Sequence, residues 1–236
     1  MASINTNYGA MVAAQSFAAT GRELDKVQNR VTTGLKISSA KDNGAVWAIA
    51  TTQKANSKAL DATINNLQRR QSIADVGLAA GETIMSALTE LKSLAAAIEA
   101  GGTTTAYQAD YTAIVAEIAA AVTGATFDGT AALTAPTPST ALAAANAATA
   151  ANVQLTIDAW AGALQTVGTT SKSLERQITF NSKLQDALEA GAGNLVDADL
   201  AKESARLTAL QTKQQLGVQA LSIANSASQT LLGLFR

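Results

Sequence analysis

One helical repeat constrains the fold of this chain more than any other feature. Between residues 153 and 188, positions spaced alternately four and three residues apart form an eleven-member series, eight of them apolar. The members are Val153, Ile157, Trp160, Leu164, Val167, Ser171, Leu174, Ile178, Asn181, Gln185 and Leu188. Because this spacing places every member on one stripe of an α-helix, the series predicts a coiled-coil seam.

The composition favours long helices that pack closely and excludes several kinds of chemistry. Of the 236 residues, 53 are alanine, 2 are proline and 4% are aromatic. Alanine is the best helix former but buries little area, so we expect a thin core. The absence of histidine and cysteine excludes an imidazole base, a disulfide and a thiol nucleophile, and we expect no cofactor or bound metal. A net charge of −1 argues against a nucleic-acid partner.

Two helices are predicted before the first long break. Apolar positions between residues 9 and 31 recur at helical spacing, and Asp42-Asn43 can cap a second helix that runs to about Ala100. The second helix carries two apolar stripes, so we expect it to contact more than one neighbour. No apolar run reaches the 18 or so residues of a membrane span, and the N-terminus lacks the pattern of a Sec-type signal.

Turn residues divide the second half of the chain. A shorter helix is predicted at about Thr105–Ala121, followed by a hairpin or loop at Thr123–Pro138, where two prolines and two glycines oppose a helix. Gly191–Asn194 predicts a break, after which Asp197 or Asp199 caps a last helix. The predicted fold is therefore all-α, an elongated antiparallel helical bundle or coiled coil with a small β-hairpin.

No group of residues in the sequence predicts an enzyme. Ser38-Ser39-Ala40-Lys41 contains the S-x-x-K pairing of some acyl transferases, but its companion motifs are missing, so a polar turn at a helix start is favoured. The acids Glu99, Glu117 and Asp158 are interpreted as surface charges on long solvated helices. Charge is unevenly spread, since all 17 Lys and Arg residues lie at or before Lys92 or at or after Lys172.

Both ends of the chain resemble the bacterial flagellins. The N-terminal likeness rests on Ser3–Asn7 and on a longer motif from Leu24 to Ala50, which includes Arg30-Val31-x-x-Gly34-Leu35-Lys36-Ile37. The C-terminal likeness covers Asp199 to Arg236, and the likeness at the hairpin is carried by Phe127-Asp128-Gly129-Thr130. The resemblance spans about the first 100 and the last 90 residues, in the family's order.

The resemblance implies a structural subunit that polymerises into the helical filament of the flagellum. It implies an inner filament-tube domain from residues 1–41 and 195–236, and a helical core domain from 42–194 with its hairpin near 123–138. The outer domains that many flagellins insert after this hairpin are absent, which indicates a minimal flagellin. The family leaves the cell through the flagellum's own type III export apparatus, so the expected location is the extracellular filament.

The resemblance also implies partners. These are further copies of the chain, a flagellar export chaperone and the filament cap and junction proteins. Binding to the innate immune receptor for flagellin is expected to be weak, because Glu90 and Ser93 replace a basic residue and a glutamate in the stretch that strong agonists present. Subunit packing is assigned to fifteen residues: Leu24, Val27, Val31, Leu67, Leu78, Leu88, Leu94, Trp160, Leu164, Leu174, Leu207, Leu210, Leu221, Leu231 and Phe235.

Two alternatives stay open at the level of sequence. A hook–filament junction protein shares the terminal helices of flagellin, although its middle is usually more divergent. A secreted amphipathic or coiled-coil effector would have similar helices and would bind a membrane surface or a partner helix instead of polymerising.

Overall fold

The computed structural model describes residues 7–101, 105–136, 142 and 149–234, with only the backbone for residues 227–234. These residues form helices and a single antiparallel hairpin, which confirms the predicted fold class. In chain order the elements are α1 (Tyr8–Thr33), α2 (Gly44–Glu99), α3 (Thr105–Gly124), β1 (Thr126–Phe127), β2 (Thr130–Ala131), α4 (Ala150–Val196) and α5 (Leu200–Leu234). No helix in this described part of the chain combines the length and apolar character needed to cross a bilayer.

The chain divides into two compact units. Unit 1 comprises residues 1–57 and 186–236, and unit 2 comprises residues 58–185, so α2 and α4 contribute to both. These limits differ from the predicted domain limits at residues 41 and 195. The predicted domains, however, are defined by their places in a filament, and their assignment stays a prediction.

Unit 1 is organised by the antiparallel pairing of α1 with α5. The Asn7 side chain donates to the carbonyl oxygen of Ala224 at 2.8 Å, and Arg30 Nη1 lies 3.0 Å from Glu203 Oε1 at the other end of α1. The apolar seam between the helices is thin and consists of Leu24, Val27 and Leu210, with Val31 and Leu207 packed beside them. The two weakly apolar helices at the chain ends therefore cover each other's apolar stripes.

The predicted break at Gly191–Asn194 is wrong, because α4 continues to Val196. Ala192 is completely buried and packs with Ile37, Ala50 and Val196. A Cβ atom on Gly193 would lie 2.8 Å from Oδ2 of Asp197, so this glycine allows the carboxylate to approach the helix. Glycine costs about 1 kcal/mol in a helix interior, and tertiary packing of this kind overrides the local preference.

Asparagine and aspartate side chains begin the helices that follow the two turns of unit 1. Asn43 Oδ1 accepts from the Val46 backbone N–H at 3.2 Å, so Asn43 is the residue of the predicted pair that caps α2. Asp199 Oδ1 accepts from the Lys202 backbone N–H at 3.1 Å, so Asp199 caps α5.

Unit 2 is organised by the antiparallel packing of α2 on α4. Three side-chain hydrogen bonds cross between them, and residue numbers rise along α2 as they fall along α4. These bonds are Gln185 Nε2 to Asp61 Oδ1 at 2.6 Å, Ser171 Oγ to Asp75 Oδ1 at 3.3 Å, and Lys92 Nζ to Gln154 Oε1 at 2.5 Å. All eleven members of the α4 seam are buried or half-buried, which confirms the predicted stripe.

The core of unit 2 lies where α3 and the hairpin segment join these two helices. Its buried members are Ile84, Leu88, Leu91, Ala95, Tyr111, Ile118, Ala125, Leu133, Leu142, Val153 and Trp160. The α2 helix thus contacts several neighbours, as its two stripes predict. Burial raises the pKa of the Tyr111 phenol, whose hydroxyl has no hydrogen-bond partner among the described residues.

Trp160 is the largest completely buried side chain described in the chain. Trp160→Ala should lower the free energy of unfolding by about 3–5 kcal/mol, because it leaves a large cavity in the core of unit 2. Phe180→Ala on the same helix is the matched control and should be nearly neutral, since Phe180 is 64% exposed. Thermal and denaturant unfolding of the two variants would check this, and equal effects would contradict the register of α4.

Two glycines of α2 allow close approaches to this helix. A Cβ atom on Gly77 would lie 2.9 Å from the carbonyl oxygen of Ala132, in the segment after β2. A Cβ atom on Gly81 would lie 2.0 Å from Cδ2 of Leu164. A leucine end can rotate away, but a backbone carbonyl cannot move without displacing the segment that carries it. Glycine is therefore required more strictly at position 77 than at position 81.

Gly77→Ala should destabilise the protein by about 1–3 kcal/mol, the usual cost of overpacking a close contact. Gly162→Ala is the control, because nothing lies within 4 Å of its Cβ position. That change should instead stabilise the protein by about 0.5–1 kcal/mol by removing a glycine from a helix interior. Urea unfolding curves measure both, and destabilisation by both substitutions to the same extent would argue against the described approach of the hairpin segment.

Candidate assembly surfaces

The paired helices of unit 1 expose apolar side chains on their outer faces. Tyr8 is 77%, Met11 61%, Leu216 58% and Ile223 69% exposed. Exposed apolar side chains that form a large patch typically mark protein–protein interaction sites. The surface is therefore suited to contact with another protein.

A groove of about 410 Å³ runs between α1 and α5 at this surface. Val12, Phe17 and Leu216 contribute its apolar lining, and Lys213 lies among its lining residues. Gly217 makes room for Phe17, because a Cβ atom there would lie 3.2 Å from Cδ2 of the ring. The phenyl ring of one helix therefore packs directly on the backbone of the other at this point of the groove.

A partly buried ion pair fixes the pairing at the other end of α1. Arg30 and Glu203 are 20% and 12% exposed and share a single 3.0 Å contact. Arg30 Nε and Glu203 Oε2 are buried and have no hydrogen-bond partner among the described residues. Such a pair adds little net stability but strongly penalises the loss of one partner, so it holds α1 and α5 in one register.

Unit 2 has a cavity of about 520 Å³ between α2, the hairpin and α4. Ile73, Val167 and Leu174 give it an apolar floor, and Arg69 and Arg70 lie among its polar lining. The hairpin turn is built from residues with positive φ angles, 50° at position 128 and 69° at position 129. That turn presents a carboxylate to the Arg69 guanidinium at 2.9 Å.

The predicted polar turn before α2 is built around one carboxylate. Asp42 Oδ2 accepts from the backbone N–H groups of Ser38 and Ser39 at 3.1 and 3.2 Å and from both hydroxyl groups. The Ser38 backbone N–H contributes most to holding the pKa of Asp42 below its ordinary value. The serine hydroxyls thus serve the turn, which supports the structural interpretation of the S-x-x-K motif.

Asp42→Asn tests this turn through its pH dependence. The folded-state pKa is lowered, so the carboxylate stabilises the protein fully above an unfolded pKa of about 3.9, and this contribution is lost as pH falls towards the folded pKa. The melting temperature of the wild type should exceed that of Asp42→Asn by a constant margin from pH 5 to 8, and this margin should shrink below pH 4. A margin that does not change with pH would contradict this role.

The residues assigned to subunit packing are mostly covered within one chain. Among the described side chains, seven of the fifteen are buried: Leu24, Val27, Leu67, Leu88, Trp160, Leu174 and Leu210. Six are half-buried: Val31, Leu78, Leu94, Leu164, Leu207 and Leu221. The side chain of Leu231 and the whole of Phe235 lie outside the described residues, as does most of the Ser3–Asn7 motif. Their contacts between subunits stay a prediction.

Sequence periodicity missed the exposed apolar side chains. Periodicity selects the residues that face the chain's own core, whereas Tyr8, Met11 and Ile223 lie outside those stripes. The sequence signal that could have indicated these side chains is the presence of large apolar residues outside the predicted seams.

Paired terminal helices with exposed apolar faces define the class as a helical protein with surfaces suited to assembly. Residues 4–135 match the model of the bacterial flagellin N-terminal helical region, and residues 151–235 match that of the C-terminal helical region. The chain belongs to the bacterial flagellin family. It is a structural subunit of the flagellar filament.

Relatives match over their whole lengths. Flagellin FljO of Caulobacter vibrioides is 44% identical, covering 99% of this chain and 98% of the relative. A flagellin of Brucella melitensis is 36% identical, and flagellin C of Rhizobium meliloti is 28% identical, each covering 100% of both chains. Only residues 136–150 separate the two family regions, so the chain is a short flagellin without a variable domain. Neither alternative hypothesis gains support from these matches.

Proposed function

We propose that the α1–α5 pair forms the inner tube of the filament and that the helices between them form the surrounding core domain. The exposed apolar surface of the pair carries this proposal. Tyr8, Met11, Leu216 and Ile223 would stay in water in an isolated chain, and a tube of packed copies removes them from water at a gain of about 25 cal/mol per Å². The thirteen assigned packing residues whose side chains the structure describes then act mainly by holding each subunit's helices in shape for this contact.

Leu216→Asp tests the proposal, because Leu216 is exposed and lines the groove. The monomer should fold and melt like wild type, but elongation of filament seeds should fall by about tenfold or more, since a buried unpaired carboxylate is strongly unfavourable in a packed interface. Gln211→Asp, at an exposed position on a different side of α5, should elongate seeds normally. Electron microscopy and light scattering measure elongation, and normal growth of Leu216→Asp filaments would refute the assignment of this surface.

The individual binding partners of the subunit are also proposals, which rest on family membership and on the exposed surface of α5. An export chaperone would cover the apolar side chains of α5, including Leu216, Val218 and Ile223, before the subunit leaves the cell by the type III route. The filament cap and junction proteins would contact the same paired helices at the two ends of the filament. The extracellular filament is the location at which the subunit acts.

We also propose that the chain binds the innate immune receptor for flagellin weakly. In the stretch from 88 to 97, Leu88, Leu91 and Ala95 are completely buried, so the outward positions carry any recognition. Glu90 is exposed where strong agonists have a basic residue. Lys92, the cation that the stretch retains, donates to Gln154 at 2.5 Å and is held within the chain. An acid in place of a cation penalises binding more than a neutral residue would.

The double substitution Glu90→Arg with Ser93→Glu should raise receptor activation by about tenfold or more, because it removes a like-charge repulsion that costs several kcal/mol. Glu82→Arg, at an exposed position on the same helix outside the stretch, is the control for a general gain of positive charge. Reporter cells that express the receptor measure the response. Strong activation by the wild-type protein would contradict the prediction.

A further inference from the structure

The dipeptide Asn43–Gly44 joins the polar turn of unit 1 to the start of α2. It is the only place in the sequence where glycine follows asparagine. Asparagine deamidates most readily before glycine, because glycine has no Cβ atom to hinder attack by its backbone nitrogen on the asparagine side chain. Both residues are exposed, and nothing lies within 4 Å of the Cβ position of Gly44. Water therefore reaches this dipeptide, and no neighbouring side chain shields it.

The reaction needs no co-reactant other than water. The Gly44 backbone nitrogen forms a bond to Asn43 Cγ, the bond from Cγ to Nδ2 breaks, and Nδ2 leaves as ammonia with the proton from the backbone nitrogen. The product is a five-membered succinimide ring. Water opens this ring at either of its two carbonyl carbons. Attack at Cγ gives aspartate, and attack at the main-chain carbon gives isoaspartate, in which the backbone runs through the side chain and gains a methylene group.

The first turn of α2 opposes ring closure in the folded chain. Asn43 Oδ1 accepts from the Val46 backbone N–H at 3.2 Å, which fixes the side chain. The Asn43 carbonyl oxygen accepts from the Trp47 backbone N–H at 2.9 Å, which fixes the peptide group that also contains the Gly44 nitrogen. Ring closure has to rotate both the side chain and this peptide group, so both hydrogen bonds must break first. The folded chain therefore reacts only while the start of the helix is locally open.

We propose that Asn43–Gly44 is a deamidation site that the folding of α2 switches off, so that the modification accumulates in chains that remain unfolded. An unfolded chain has no helix cap and samples the ring-closing conformation freely. The extent of deamidation at Asn43 then records how long a chain has been unfolded. This inference does not depend on the filament function proposed above, because it concerns the chemistry of a single chain.

The two products differ in their effect on the fold. Aspartate caps a helix about as well as asparagine does, and its negative charge is favourable at a helix N-terminus. Isoaspartate lengthens the backbone at the cap and displaces the side-chain oxygen from the first turn. That turn carries Val46, which packs against the buried cluster that includes Ile37 and Ala192. Isoaspartate should therefore weaken unit 1, whereas aspartate should leave it close to wild type.

The test compares the full-length protein folded in buffer with the same protein unfolded in guanidinium chloride, at one pH and temperature. Trypsin releases Asn43 in the peptide 42–54, which contains no other asparagine. The peptide 177–183 contains Asn181, which serine follows, and serves as the internal control. Mass spectrometry measures the exchange of amide for carboxyl over time, and electron-transfer fragmentation distinguishes isoaspartate from aspartate. Gly44→Ala is the matched variant, because the added Cβ atom hinders ring closure but meets no neighbour in the fold.

In guanidinium chloride, Asn43 of the wild type should deamidate about tenfold or more faster than Asn181 and than Asn43 of Gly44→Ala, because only a following glycine leaves the attack unhindered. In buffer the wild-type rate at Asn43 should fall by about tenfold or more, because only the locally open fraction reacts. Equal rates in buffer and denaturant would overturn the protection by α2. A rate in denaturant no faster than that of Asn181 would overturn the site itself.

The products are compared after refolding. Asn43→Asp represents the aspartate product and should melt close to wild type. Protein aged in denaturant, enriched in isoaspartate by ion exchange and then refolded should melt at a lower temperature than Asn43→Asp. Equal melting temperatures for these two samples would overturn the role assigned to the cap of α2.

Discussion

The antiparallel packing of α2 on α4 in unit 2 is the interaction on which the remaining features of that unit depend. Its seam gives Trp160 a completely buried position and sets the platform on which α3 and the hairpin segment pack. The same register places residues 58–70 of α2 beside residues 172–185 of α4. A shift of one turn, about 5.4 Å, would separate Gln185 from Asp61 and Lys92 from Gln154 together. The packing and the hydrogen bonds across the seam therefore depend on the same register.

The alanine-rich composition explains why the helices must pack closely. A chain with 53 alanines and few aromatic residues buries little area per residue, so its helices gain stability only where backbones approach tightly. Gly77 allows the backbone after β2 to approach α2 in this way, and Gly81 allows the Leu164 side chain to pack directly against the same helix. The few large side chains then carry a disproportionate share of the core, which explains why Trp160, Leu88 and Ile84 lie at its centre.

Periodicity predicted the helices because it reports which residues face the chain's own core, and the α4 seam was found in full for this reason. It failed at Gly191–Asn194, since glycine's local preference gave no sign that Ala192 would be buried against Ile37 and Ala50. The Ser38–Asp42 turn could be foreseen as polar, but not the four hydrogen bonds that converge on one carboxylate oxygen. The candidate surfaces were the hardest to foresee, because a residue that contacts another molecule need not fit any repeat within its own chain.

A subunit that forms an open-ended polymer faces a requirement that a monomeric protein does not. Its surfaces must be stable in water before assembly and must still recognise a second copy in one orientation. The two units meet this requirement by different physical means. Unit 1 exposes apolar side chains such as Tyr8 and Ile223, which favour burial but give little direction. Unit 2 holds its own helices in one register through buried Trp160 and the hydrogen bonds that cross between α2 and α4, so every copy presents the same surface. The exposed apolar area of unit 1 can therefore be altered by substitutions that leave the core of unit 2 in place.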